Sequence, residues 1–461
     1  MHHHPPRVAP FVAICWASVA VASLFWPLTV AAQVAPDSTA PVQAALTAPG
    51  LVAVSTLQGA DTAWLMVSTA LVLLMTLPGI ALFYGGMVRR TNVINTMASV
   101  VGIAAVVSLL WFALAYSLAF TPGGALGGFI GGMGRIGFSG MEVLGNSAQV
   151  AVNHIAPHVP ESVFAMFQLT FAVITCALVV GALVERMHFG ALLLFAGLWL
   201  LLVYAPIAHW VWEPSGWLAQ LGALDFAGGA VVHINAGAAA LVCAYALGPR
   251  TGYGQEPFVP FNLGITMAGT GLLWVGWFGF NGGSALAADG RAGLAILVTH
   301  IAAAAGAVAW MAAEWLARKR ISLLGMCSGI VGGLVAITPA AGFVTPRGAL
   351  VIGLAAGAAC YWGATALKHK LGADDSLDVF GVHGVGGLVG ALLTGVLADP
   401  AISGAQGSLL AQAIACVAVL GYSLAMTAVV LWITSRVVTL RVREGEERAG
   451  LDVSLHNESL N

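Results

Sequence analysis

Residues 97–120 read MASVVGIAAVVSLLWFALAYSLAF, an apolar run without a single charged side chain. Coiled as a helix at about 1.5 Å per residue, it is long enough to cross a hydrocarbon layer of about 30 Å. Residues 189–208 and 349–367 have the same character. The 461-residue chain is 59% hydrophobic and only 8% charged, with mean hydropathy +0.92. A soluble domain carries about 25% charged residues, so this chain has too few to face water. A membrane barrel would need roughly ten-residue segments of alternating polarity, and the sequence lacks them. The fold class expected is an all-α polytopic membrane protein.

Eleven spans are expected, near residues 62–88, 95–119, 161–184, 188–208, 227–248, 260–281, 292–317, 322–340, 348–367, 380–398 and 408–435. Charge placement tests that count. With the mature N-terminus outside and the spans alternating, thirteen cations fall on the cytoplasmic side: Arg89, Arg90, Arg186, Arg250, Arg318, Lys319, Arg320, Lys368, Lys370, Arg436, Arg441, Arg443 and Arg448. Only Arg135, Arg291 and Arg347 fall outside. This is the asymmetry of the positive-inside rule, and a missed or invented helix would scramble it. The expected topology places the C-terminus in the cytoplasm.

Arg7, the apolar residues 11–30 and the small residues Val30, Ala31 and Ala32 resemble a signal peptide cleaved after Ala32. The expected division is residues 1–32 signal peptide, 33–60 periplasmic linker, 61–436 membrane domain and 437–461 cytoplasmic tail. The 58 glycines suit closely packed transmembrane helices. Cys15, Cys176, Cys243, Cys327, Cys360 and Cys416 sit in apolar runs without metal-ligand or CxxC spacing, so they are expected as free core thiols.

An internal echo runs through the chain. Span five opens with Asp225-Phe226-Ala227-Gly228-Gly229 and carries His233. Span ten opens with Asp378-Val379-Phe380-Gly381 and carries His383. Spans one to five and six to ten therefore read as two inverted five-helix repeats, a transporter plan with its site at the repeat interface. The eleventh helix lies outside the repeat.

Ionisable groups inside a membrane are costly and mark function. His233, His300 and His383 lie deep in spans; Asp61, Glu161, Glu185 and Glu314 sit at span ends, where solvation or capping accounts for them. A lone buried histidine is usually a satisfied core residue. His233 and His383 differ because they occupy matching places in the two halves, each with an aspartate upstream. A buried charge is costly, so both rings are expected neutral, each offering one N–H and one acceptor. His300 has no such counterpart and reads as structural. Phe167 and Phe171 lie one helical turn apart on one face. With Trp212, Trp277, Phe280 and Ser284 they provide aromatic faces and a hydroxyl, a cation site without a formal charge. Aromatic belts at the membrane surface are the plainer reading of such residues.

Four blocks make a resemblance specific: Asp225-Phe226-Ala227-Gly228-Gly229-Ala230-Val231-Val232-His233-Ile234-Asn235, Pro78-Gly79-Ile80-Ala81-Leu82-Phe83-Tyr84-Gly85-Gly86, Gly276-Trp277-Phe278-Gly279-Phe280-Asn281 and Asp378-Val379-Phe380-Gly381-Val382-His383-Gly384. From about residue 60 to its end the chain resembles the Amt/Mep/Rh ammonium transporter family, in its bacterial Amt form. The resemblance implies ammonium recruitment by Phe167, Phe171, Trp212 and Ser284, a phenyl gate of Phe171 and Phe280, and twin pore histidines His233 and His383. It implies supporting roles for Asp225, Trp277 and Asp378. It also implies a homotrimer, ammonium or ammonia as substrate with methylammonium as a mimic, and a PII signal protein at the cytoplasmic face. The tail block Ala449-Gly450-Leu451-Asp452-Val453-Ser454-Leu455-His456 fits, although Leu455 and Asn457 stand where Glu or Ser and Gly are expected.

Recruitment, deprotonation and conduction of ammonia past two histidines is the expected function; an ammonium sensor signalling through a PII protein is the alternative. An intramembrane enzyme is disfavoured, because the sequence has no HExxH, no Gly-x-Ser-x-Gly and no acidic partner at i+3 or i+4 from either histidine. No catalytic residue, metal, cofactor or nucleic-acid partner is expected.

Overall fold

The computed structural model describes residues 46–141, 148–404 and 406–460. The expected signal peptide, its cleavage site and Cys15 lie outside the described residues. Ten helices are long and apolar enough to cross a membrane, and an eleventh apolar helix is shorter. In chain order they are α1 Gly59–Met87, α2 Arg90–Phe120, α3 Glu161–Leu183, α4 Phe189–Gln220, α5 Gly229–Leu247, α6 Leu263–Gly283, α7 Gly290–Arg318, α8 Leu323–Ile337, α9 Pro346–Leu371, α10 Phe380–Leu397 and α11 Leu409–Val437. The protein is an all-α polytopic membrane protein.

Local chemistry starts several of these helices. Asn262, Asp289, Ser322, Thr345 and Ser408 each accept hydrogen bonds from first-turn N–H groups of α6, α7, α8, α9 and α11, filling donors that a helix N-terminus leaves open. α3 and α5 form the centre, with 83% of their most apolar windows buried, against 28% for α2 at the periphery. The two ends of the bundle differ. One carries a small antiparallel sheet, β1 Gly50–Ala53, β2 Gln149–Asn153 and β3 Ala156–Pro160, in the order β1-β2-β3. β1 falls within the residues expected as linker. The other end carries two short tail helices, α12 Glu444–Ala449 and α13 Leu451–His456.

Two span-end carboxylates are not solvated. Glu161 is fully buried and accepts from the Tyr116 hydroxyl at 2.9 Å and from Arg135 Nε at 3.0 Å. Glu185, also fully buried, pairs with Arg89 at 2.9 Å and Arg250 at 3.1 Å. Glu314 accepts from the backbone N–H and hydroxyl of Ser322 at the start of α8. Asp61 accepts from Ala288 N at 2.8 Å. His300 is exposed on α7, beside the rings of Trp274 and Phe278.

Candidate functional site

α5 and α10 begin at opposite ends of the bundle, and each begins with a π-helical turn, Gly229–Ile234 and Phe380–Gly384. A π turn adds a residue and is frequent at functional sites. These two turns carry His233 and His383. Glycine lets them meet: a methyl group on Gly237 would lie 2.5 Å from Gly384 Cα, and one on Gly387 would lie 3.0 Å from Gly229 O. The result is a buried imidazole pair, ring centroids 5.3 Å apart and Nδ1 to Nδ1 3.2 Å.

That contact constrains the protons. Two neutral imidazoles can share such a bond only when one Nδ1 donates and the other accepts. The remaining nitrogens then differ, one a bare Nε2 and the other an Nε2–H. His233 Nε2 is buried and has no hydrogen-bond partner among the described residues. The His233 ring stacks on Trp277 at 5.4 Å, and Trp277 Nε1 donates to Thr338 Oγ1 at 2.9 Å, which fixes the indole.

The aromatic residues continue the line toward the sheet-bearing end. Phe280 lies 6.2 Å from the His233 ring and stacks on Phe171 at 4.2 Å, with 22° between the planes. Phe167 meets Phe171 edge-on at 4.9 Å, and Trp212 meets Phe171 edge-on at 5.8 Å. Trp212 belongs to α4, not to the segment after it, and its Nε1 donates to Asp225 O at 3.0 Å. Ser284 follows α6, and its hydroxyl donates to Phe280 O at 2.8 Å. On the far side of the pair, a pocket reaches His383 between Phe83, Tyr84, Ser328, Leu377 and Asp378.

Asp225 holds the start of α5. Its carboxylate accepts from Gly228, Gly229, Ala230 and Val231 N–H groups. Burial raises its pKa and these four donors oppose the shift. The counterpart at α10 is Asp375, not Asp378. Asp375 accepts from Phe380 N at 2.7 Å, and one of its oxygens is buried without a partner among the described residues. Asp378 has left-handed backbone (φ 57°) and accepts from Lys368 Nζ at 2.7 Å. The signal was present in the spacing: Asp225 and Asp375 each stand eight residues before their histidine.

The sequence reading also missed a charge cluster at the tail end. Arg186, fully buried, pairs with Asp374 at 2.8 Å, and Arg250 pairs with the same carboxylate at 2.9 Å. Burial would raise the Asp374 carboxyl, but Arg250 and Arg186 outweigh it and hold it below the usual carboxylate range. Burial lowers Arg186 to about 10 despite Asp374. Cys176, Cys243, Cys327, Cys360 and Cys416 are buried free thiols. Among the described residues no group of three histidine, cysteine or acidic side chains could hold a metal.

A helical membrane bundle in which two helices opening on π turns bring two histidines together beneath stacked phenyl rings defines a polytopic transport protein. The sequence profile of the Ammonium Transporter Family matches residues 63–460, and the chain belongs to that family. It is 48% identical over 405 residues to an ammonium transporter of Aquifex aeolicus, covering 86% of this chain and 92% of the relative. It is 46% identical over 411 residues to an ammonium transporter of Bacillus subtilis, covering 87% and 98%. The crystal structure of Saccharomyces cerevisiae Mep2 superposes with a TM-score of 0.76 at 35% identity, covering 85% of this chain and 91% of that one. The protein is an ammonium transporter and not an enzyme.

Proposed function

We propose that ammonium is recruited beside Trp212, Phe167, Phe171 and Ser284, gives its proton to a bare His233 Nε2 at the Phe171–Phe280 stack, and passes the histidine pair as ammonia. The observation that carries this is the 3.2 Å imidazole pair directly behind a 4.2 Å phenyl stack. The Ser284 proton is committed to Phe280 O, so its oxygen lone pairs remain to accept from an ammonium N–H. The aromatic faces attract the cation without the binding strength of a carboxylate.

Energetics favour the neutral passenger. Burying a bare ammonium-sized ion costs several kcal/mol and about 20 in the idealised limit. Taking a lysine-like pKa of about 10.4, removing its proton at pH 7 costs roughly 5 kcal/mol. K⁺ has no proton to shed and bears the full desolvation cost, so selectivity needs no carbonyl cage.

The proton follows along the pair, making transport electrogenic. It enters at a bare His233 Nε2. The His233 Nδ1 proton crosses to His383 Nδ1, and His383 Nε2–H releases its proton into the pocket beyond. Both tautomers are then reversed, and the pair resets before the next proton.

The basic tail end faces the cytoplasm, the sheet end faces outward, residues 1–32 are removed as a signal peptide, and three copies assemble. The cytoplasmic end is the docking face for a PII signal protein. Uptake of ammonium and methylammonium in a transporter-deficient cell, wild type against His233→Ala and His383→Ala, tests the pore. Loss of flux or of discrimination is expected in both variants, and wild-type transport in both removes the assignment. Voltage clamp of reconstituted protein tests the proton route, which an absence of ammonium-dependent current would refute.

A further inference from the structure

Ser284 lies in the short connection 284–289 between α6 and α7, and its position depends on what holds that connection. The connection folds tightly: Ser284 N donates to Asn281 O at 3.2 Å, Leu286 N donates to Gly283 O at 2.9 Å, and Leu286 takes a left-handed φ of 58°. A non-glycine residue in that region is disfavoured, so surrounding contacts must hold it. Among the described residues one side chain from outside the connection hydrogen-bonds its backbone, Asp61, whose Oδ1 accepts from Ala288 N at 2.8 Å.

Asp61 is not isolated. It lies in the first turn of α1, and Trp64 and Ser68 follow it along the same helix face. Trp64 Nε1 donates to Gly282 O at 3.1 Å. A methyl group on Gly283 would lie 2.6 Å from Ser68 Cβ and 2.8 Å from Phe167 Cε2. One face of α1 thus braces the last turn of α6, the connection and, through Gly283, the ring of Phe167. The other Asp61 oxygen lies 3.4 Å from His158 Nε2 on β3, and Gln58 N donates to His158 O at 2.9 Å. The carboxylate therefore ties three elements together: the start of α1, the sheet and the connection.

We propose that Asp61 is a positioning residue for ammonium recruitment, holding the connection so that Ser284 stands over the aromatic cluster. The inference rests on the recruitment role given to Ser284 above. Asp61 does not touch the ammonium. It acts through the Ala288 N–H, so its loss weakens capture and leaves the barrier deeper in the bundle unchanged.

Initial-rate uptake of ammonium by the full chain in proteoliposomes, corrected for inserted protein, tests this. Asp61→Ala should raise KM about tenfold with the maximal rate within twofold of wild type. Asp61→Asn keeps an acceptor oxygen and should restore KM. His158→Gln should leave KM within twofold, because the Ala288 bond persists. Where Asp61→Ala fails to accumulate, Ala288→Pro deletes the donor from the other side and should raise KM likewise. A wild-type KM in Asp61→Ala or Ala288→Pro, or a fall in maximal rate alone, overturns the proposal. Ser284→Ala separates the two levels of inference. A raised KM there with an unchanged KM in Asp61→Ala rejects the positioning role alone. An unchanged KM in Ser284→Ala rejects the recruitment role and the positioning role together.

Discussion

Asp225 and Asp375 stand eight residues ahead of His233 and His383, and each carboxylate accepts from the backbone N–H groups that open its histidine's helix. The two caps are not equally filled. Asp225 takes four N–H donors, whereas Asp375 keeps one buried oxygen unpartnered among the described residues. Burial lifts the Asp375 pKa to about 6, with Asp378 adding to the shift and Lys368 and the N–H groups of Phe380 and Val379 opposing it. A carboxyl held above its unfolded value of 3.8 retains a proton in the folded protein that the unfolded chain releases. Its contribution is fully present below about pH 4 and is lost as pH rises through 6, by roughly 3 kcal/mol. Thermal unfolding in detergent from pH 4 to 7 should therefore show a flatter profile for Asp375→Asn than for wild type. Coincident profiles would contradict the assignment.

The Phe171–Phe280 stack is close enough, at 4.2 Å, to leave no open passage between the rings. Phe280 is fully buried and also borders Trp277 and His233. Truncating it opens space beside the imidazoles and costs about 3 kcal/mol of packing. Phe280→Ala should lower the preference for ammonium over methylammonium by about tenfold, because the larger cation gains room. Competition uptake measures this; an unchanged ratio would mean that the rings do not control entry.

The membrane class and the eleven apolar helices were legible from the sequence, because a charge-free run of helical length is hard to accommodate anywhere but in a bilayer, although α4 runs on to Gln220 and α8 is shorter than expected. The two histidines were legible because the halves echo each other. What the echo could not give was register. Both Asp375 and Asp378 precede His383, and the motif resemblance favoured Asp378. Only the backbone of α10 decides, because the cap must reach Phe380 N from outside the π turn. The π turns themselves leave no compositional trace, since Ala230, Val231 and Val232 suit an ordinary helix equally well. The Arg186–Asp374–Arg250 cluster was hidden by a different cause. Its members look like ordinary cytoplasmic loop charges, and burial comes from chain segments far apart in sequence.

Arg186 illustrates how costly that cluster is to break. Its guanidinium donates to Asp374 Oδ2 at 2.8 Å and to the carbonyls of Ala182 and Asp374. Removing one member of a buried pair leaves an uncompensated charge, typically a loss of about 3–5 kcal/mol. Arg186→Met should accordingly lower the detergent-phase Tm by several degrees. Arg250 still compensates Asp374, so the loss should fall near the lower limit. Arg186→Met combined with Arg250→Met should be worse than the sum, since the carboxylate then has no cation. Additive losses in that double variant would show that the two arginines do not share Asp374.

The tail is pinned to the same end by two carboxylates that sequence reading passed over. Asp452 Oδ1 accepts at 2.8 Å from Asn95 N, where the α-helical part of α2 begins at Val93, and Glu447 accepts from Thr251 N at 2.7 Å while pairing with Arg441 at 2.8 Å. Both carboxylates are almost fully buried. Asn457, where Gly was expected, adopts a left-handed φ of 54° at the end of α13. Asparagine tolerates that conformation better than other side-chain-bearing residues, so the departure preserves the turn, and Asn457→Gly should leave docking unchanged. Asp452→Ala removes an acceptor from a helix start, an effect of about 1 kcal/mol. Glu447→Ala strands the Thr251 N–H and Arg441 together. Each variant should raise the rate of tryptic cleavage at Arg443 and Arg448, and the double variant by at least about tenfold, because cleavage follows the population of locally opened tail. Equal cleavage rates in wild type and the double variant would show that these contacts do not hold the tail.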